Sequence, residues 1–230
     1  MIRNENFRIR THIIKRLILG NRCRICAKTS ELNKDICDDC SVEKIRVPQE
    51  ILLSFSFTDK NFDNLTAPFY YDEPVRKCIH NFKYKNFKPA AEFLTAELTE
   101  VISRDFKDET PDFITCVPMT KIRRFRKNYN HGEVLIKYIS KAFSMENTPR
   151  LLKKIRNTRP QVALSGKERR ENLKGAFAVN QKFDVKNKTI LICDDVITTE
   201  STLEECAKTL KKAGAKRVIC AVCALNNNNF

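Results

Sequence analysis

At 230 residues the chain has room for one ordinary α/β domain and a small appendage, and its 42% hydrophobic fraction supplies a real core. Only 5 glycines argue against long flexible linkers, and no repeat with a period of roughly 20–50 residues is present. The formal net charge of +15, from 43 Lys and Arg against 28 Asp and Glu, suits either a basic soluble protein or one that binds a polyanion and releases its counterions.

The first apolar stretch runs from Ile13 to Gly20 and contains Lys15 and Arg16. It is too short and too charged to cross a bilayer, and no small-residue cleavage site follows it. Residues 1–22 are therefore expected to form a leading amphipathic segment. With 10 cysteines in such a chain, a reducing, cytoplasmic compartment and metal ligation are expected rather than disulfides. Cys23-x2-Cys26 and Cys37-x2-Cys40, ten residues apart, form two knuckles that each offer two thiolates at one point. Four thiolates leave no position for water, so a structural zinc module is predicted over residues 23–46.

Pro48 marks a boundary, after which residues 47–230 read as the main domain. "APFYYDEPVRKCIHNFKY" predicts a strand, a turn and a helix beginning near Pro74. "KPAAEFLTAELTEVISRDF" predicts a second helix with Ala91, Leu94, Leu98 and Val101 on its apolar face. "DFITCVPM" is a short buried strand ended by Pro118. "HGEVLIKYISKAF" predicts a helix that buries Val134, Leu135, Tyr138 and Ile139. "TILIC", Thr189 to Cys193, is apolar on both faces, as a central parallel strand must be. Leu203, Cys206, Ala207 and Leu210 make the next helical stripe, Gly214 stops that helix, and "RVICAVCAL" is the following strand. Strand, crossover helix and strand form a βαβ unit. Cys220 and Cys223 lie in that last strand and face opposite sides, so they read as core rather than as ligands. Cys78, Cys116, Cys193 and Cys206 also read as core.

In such a sheet the site belongs at the carboxyl ends of the strands. Asp194 and Asp195 end the buried strand, where ribose hydroxyls or a hydrated Mg2+ could meet them. Backbone N–H groups from Thr198 to Thr202 open the next helix and cradle an anion, with hydroxyls from Thr198, Thr199, Ser201 and Thr202 adding donors. Plain helix capping is the competing explanation of those hydroxyls. Glu200 places a carboxylate in the same turn. Facing a phosphate at about 4 Å, in an effective dielectric near 20, it would cost roughly 4 kcal/mol.

Two basic stretches carry rings. "KIRRFRKNYNH" sets Arg123, Arg124, Arg126 and Lys127 around Phe125 and Tyr129, and "HNFKYKNFK" mixes Lys83 and Lys85 with Phe82, Tyr84 and Phe87. Cations interleaved with aromatics suit the stacking of unpaired bases, although alternate rings buried in a core would give the same pattern. "RNTRPQVALSGKERREN" reads as a polar mobile loop near the site, with Lys167, Arg169 and Arg170 as its cations.

"ILICDDVITTESTLEECAKTLKKAGAKRV" resembles the phosphoribosyl pyrophosphate (PRPP) motif of type I phosphoribosyltransferases. Together with the cysteine knuckles, "YYDEPVRKCIHNFKY", "CVPMTKIRRFRKNYNHGEVL" and "RNTRPQVALSGKERRENLKGAF", it makes the chain similar to the ComF family, of ComFC type. The resemblance implies a phosphoribosyltransferase-like parallel sheet flanked by helices, behind an N-terminal four-cysteine zinc module. It also implies cytoplasmic handling of incoming single-stranded DNA during natural transformation, beside other competence proteins such as a helicase or a DNA-processing protein. PRPP-dependent transfer to an unidentified acceptor, with Mg2+, is the alternative. Two departures stand out: Glu200 replaces the family's usual Gly, and Lys127-Asn128-Tyr129-Asn130-His131 replaces its Arg-Gly-Phe-Asn-Gln. A Gly in the turn would matter most if that position needed positive φ.

Overall fold

The computed structural model describes residues 21–31, 33–54, 56–119, 130–159 and 165–226. The leading segment before Asn21 and the ring-bearing residues 121–129 lie outside them.

Long apolar strands without polar alternation end up at the centre of the sheet. Strand β8 (Thr189–Ile197) and strand β9 (Arg217–Leu225) are paired in parallel along almost their whole length, from Thr189 opposite Arg217 to Ile197 opposite Leu225. On the free side of β8 lies β5 (Phe113–Cys116), also parallel. The other side of β9 takes two short strands in succession along its length, β3 (Asn64–Thr66) and then β4 (Phe69–Tyr70), giving the order β3-β9-β8-β5 with β4 also paired to β9. The last two strands of the chain are therefore the inner ones. A small antiparallel pair, β6 (Leu152–Lys154) with β7 (Phe177–Val179), stands apart from this sheet, and β1 (Asn21–Arg22) pairs with β2 (Thr29–Ser30) in the cysteine module.

Period-two alternation sorts the central side chains between two apolar clusters. Leu191, Cys193, Ile219, Ala221 and Cys223 pack with α2 (Val75–Lys85), α3 (Lys88–Asp105) and α4 (His131–Ala142). Ile190, Ile192, Val218, Cys220 and Val222 pack with α1 (Gln49–Ser54), α5 (Gly166–Leu173) and α6 (Ser201–Lys212). Cys220 and Cys223 do face opposite sides, and all six cysteines outside the knuckles are buried. The expected stripes on α3 and α6 are buried as well.

Three expectations change. The β8 strand does not end at Asp194 and Asp195 but continues past them to Ile197, because its partner β9 is equally long and the ladder needs only backbone groups. On α4 the buried face is Leu135, Ile136 and Ile139, and Tyr138 is exposed. Gly132 decides that rotation: a Cβ there would meet the Cys116 Cβ of β5 at 2.8 Å, so this side of the helix lies against the sheet and Tyr138 is turned away. The segment read as a mobile loop contains α5. Ser165 accepts from the Glu168 N–H while the Glu168 carboxylate accepts from the Ser165 N–H, a capping box that starts a helix of good helix-formers. Lys167, Arg169 and Arg170 therefore stand on a helix.

Candidate functional site

The four knuckle cysteines converge. In the first knuckle the Ala27 N–H donates to the Cys23 carbonyl at 3.0 Å, and Ala27 takes a left-handed φ of 64°. In the second, a short 3-10 turn over Asp38–Cys40 brings the Cys40 N–H to the Cys37 carbonyl at 2.9 Å. All four sulfurs lie within 4.8 Å of one another, with Cys26 and Cys37 Sγ 3.7 Å apart. A tetrahedral ion with metal–sulfur bonds of about 2.3 Å has sulfur–sulfur edges of about 3.8 Å, so the cluster fits a metal ion of zinc's size and ligand preference. Cys23, Ile25, Cys40 and Val42 are buried in the same apolar cluster as α2 and α3, and Asn81 of α2 donates to the Ile25 carbonyl at 2.8 Å. The module is thus packed onto the main core.

The second centre lies at the carboxyl end of β8. Asp194 accepts from the backbone N–H of Asp195 at 2.9 Å, and burial, reinforced by the neighbouring Asp195 charge, pushes its carboxyl pKa up to about 7. Asp195 is ion-paired with Lys83 at 2.6 Å, with the two side chains 16% and 24% exposed, so this is no screened surface contact. Burial opposes the Lys83 charge, yet Asp195 and then Asp194 hold its pKa above the ordinary lysine value. The helix bearing Lys83 is fixed from α4: His131 Nε2 lies 2.8 Å from the Lys83 carbonyl, which can only accept, so Nε2 carries the proton. The His131 ring also meets Phe82 edge-on at 5.3 Å.

Beyond Ile197 the chain turns into α6. Glu200, the residue before the helix, has φ −65° and ψ −13°, an ordinary right-handed conformation that a non-glycine residue adopts without strain. Its carboxylate does not stand alone in the turn. Lys60, from the segment before β3, forms an ion pair with it, and the neighbouring Asn61 donates from both its backbone and side chain to Glu204, the latter at 2.7 Å. The expected charge conflict at Glu200 is thereby largely cancelled. Ser201 is buried, Thr198 is exposed, and Thr199 and Thr202 are half-buried. Thr199 Oγ1 is enclosed and has no hydrogen-bond partner among the described residues, a donor and acceptor available to a ligand.

Of the other sequence candidates, Lys85 is exposed at the end of α2, and Lys83 sits against Asp195 rather than in open solvent. Arg123, Arg124, Arg126, Lys127 and Tyr129 fall outside the described residues. Sequence reasoning missed Lys60 altogether and missed the partner of Lys83. Neither pair leaves a local signal, since Lys60 and Glu200 are 140 positions apart and Lys83 and Asp195 are 112 apart.

Among the described residues no helix is long and apolar enough to cross a membrane. The phosphoribosyl transferase domain family matches residues 84–229. Competence protein F of Haemophilus influenzae is 32% identical over 165 residues, covering 70% of this chain and 72% of that protein. DNA utilization protein YhgH of Escherichia coli K12 is 27% identical over 201 residues, covering 85% and 86%. Among solved structures, a hypoxanthine phosphoribosyltransferase from Staphylococcus aureus is 15% identical, with a TM-score of 0.38, over 60% of this chain and 66% of that one. With its parallel α/β sheet, its acidic pair at the end of β8 and its four-cysteine cluster, the chain belongs to the ComF family and carries a type I phosphoribosyltransferase-like domain.

Proposed function

We propose that this chain is a ComF-like competence protein that handles incoming single-stranded DNA on the cytoplasmic side, and that its domain binds a ribose phosphate at the turn after β8. The observation that supports the ligand reading is the pairing of Glu200 with Lys60, which offsets the one carboxylate that would face a phosphate in the turn, close to Asp194 and Asp195 near the carboxyl end of β8. The DNA reading draws on the +15 net charge, on the ring-bearing basic segments, and on relatives that bear the names competence protein and DNA utilization protein. Zinc is the ion proposed for Cys23, Cys26, Cys37 and Cys40, with a structural role. Helicases and DNA-processing proteins of the competence apparatus are the proposed partners.

The same pairing favours a second reading, a transferase that uses Mg2+–PRPP. In it, Asp194 and Asp195 would accept from the ribose hydroxyls, Thr199 and Ser201 would hold the 5-phosphate, and Lys83, Lys167, Arg169 and Arg170 are the cations proposed for pyrophosphate. Departure of pyrophosphate leaves oxocarbenium character at C1, and the neighbouring carboxylates stabilise that charge.

Calorimetry with Mg2+–PRPP, beside a salt series with single-stranded and duplex oligonucleotides, tests both readings. Binding of PRPP is expected, with tighter binding of the single strand and a log–log salt slope of about 0.7 per phosphate contact. No heat with PRPP at millimolar concentration would remove the sugar-phosphate reading. Equal affinity for duplex and single strand would remove the DNA-handling one.

A further inference from the structure

Helix α2 has a face that the core does not use. Val75, Cys78, Ile79, Asn81 and Phe82 are buried, which leaves Lys77, His80 and Tyr84 exposed at spacings of three and four residues, with Lys85 beside Tyr84. Tyr84 is 64% exposed, one of four large apolar side chains in that state among the described residues. Its ring lies 4.9 Å from that of His80 at an angle of 40°, so the two make a ledge of adjacent aromatic surfaces.

Cations flank the ledge on both sides. Lys77 lines a cavity of about 350 Å³ between α2 and the cysteine module, together with Lys28 and Lys44. The two acids on its wall are already engaged, Asp39 by Lys28 at 3.9 Å and Glu73 by Arg76 at 3.0 Å. Lys44 and Lys77 make no ion pair among the described residues. From Lys77 to Tyr84 the helix rises about 10 Å, a span that one or two nucleotides of extended strand cover. A base with both faces free can lie on the ledge while its phosphates meet lysines on either side, whereas a duplex keeps its bases stacked on each other.

We propose that this face of α2 is the seat of single-stranded DNA, with unpaired bases stacking on Tyr84 and His80 and phosphates meeting Lys77, Lys85 and the cavity lysines. The proposal rests on the single-strand reading above and names its surface. It also places the DNA track between the metal module and Lys83, the residue that touches the Asp195 carboxylate.

Fluorescence anisotropy with labelled oligo-dT and an abasic strand of equal length tests it. The native protein should prefer oligo-dT by about 5- to 150-fold, the range that stacking of one base provides. Tyr84→Ala with His80→Ala should erase that preference and leave the salt slope unchanged, while Tyr84→Phe retains it. Lys77→Ala with Lys85→Ala should lower the slope by about 1.4 and keep the preference for bases. All four side chains are exposed, so melting temperatures should stay close to native and show that the fold is intact. If the double aromatic variant still prefers oligo-dT, the surface is elsewhere and the proposal fails while the single-strand reading stands. If that variant keeps its affinity but changes the sedimentation of the protein alone, the face belongs to a second copy, and the proposal also fails. If the native protein binds neither strand, the underlying reading fails too.

Discussion

Around the turn after β8, Lys60 and Glu200 form a neutral pair that touches the first turn of α6. Removing one member at a time changes the local charge by one unit in a known direction. Glu200→Gly should tighten Mg2+–PRPP about tenfold, Lys60→Met should weaken it about tenfold, and the double variant should fall near native; one charge several ångströms from a phosphate contributes about 1–2 kcal/mol. Calorimetry on the four proteins checks this, and an unchanged affinity in both single variants would place the phosphate elsewhere. Asp194→Asn with Asp195→Asn should erase the gain of Glu200→Gly, because the ribose hydroxyls lose their anionic acceptors. Asp194 also governs a pH dependence. Its folded-state pKa of about 7 lies above its unfolded value, so the folded protein holds the extra proton between roughly pH 4 and 7. Its contribution to stability is present in full below that window and is lost as pH rises through it. Asp194→Asn, which stays neutral, should raise the melting temperature at pH 8 by an amount worth about 1–3 kcal/mol and have little effect at pH 4. An equal effect at both pH values would exclude titration of this group as the cause.

Helix α2 is the element that ties the centres together. Its middle residue Asn81 holds the cysteine module through the Ile25 carbonyl, the Lys83 carbonyl accepts from His131 at the start of α4, and the Lys83 ammonium reaches Asp195. Each contact satisfies a backbone carbonyl or a charge that the folded protein withdraws from water. Asn81→Ala removes a donor and leaves the buried Ile25 carbonyl unpaired, at a cost of about 1–3 kcal/mol. Thermal melting measures that loss, and the same variant should release its metal to a chelator faster than the native protein. The pattern "YYDEPVRKCIHNFKY" showed that a helix starts near Pro74, and it does. It could not show which side of that helix meets a neighbour: Phe82 is buried while Tyr84, two residues on, stands in solvent. The same limit explains Tyr138, because the close approach of Gly132 to Cys116 sets the rotation of α4 and neither residue carries a record of the other.

Across the whole molecule, the four-cysteine module and the main domain share one apolar cluster, so binding or loss of a metal ion there should be felt beyond the knuckles. Elemental analysis should find one zinc per chain, and Cys37→Ser should open residues 21–46 to proteolysis and lower the overall melting temperature. Purified protein without zinc that still resists proteolysis in this region would overturn the assignment. The sequence by itself determined what is local or periodic. Two Cys-x2-Cys turns carry their geometry within four residues each, and the apolar runs of β8 and β9 declare a sheet covered on both faces. The acidic pair at the end of β8 likewise follows from its place in a strand. Tertiary structure alone decided which charges meet: Lys60 against Glu200 and Lys83 against Asp195, and with them whether the turn repels a phosphate or admits it. The physical reason lies in the strand order β3-β9-β8-β5, which places the last-made strands at the centre and brings residues from the first half of the chain around their carboxyl ends. Partners more than a hundred positions apart share no periodicity, so their pairing exists only once the sheet is assembled.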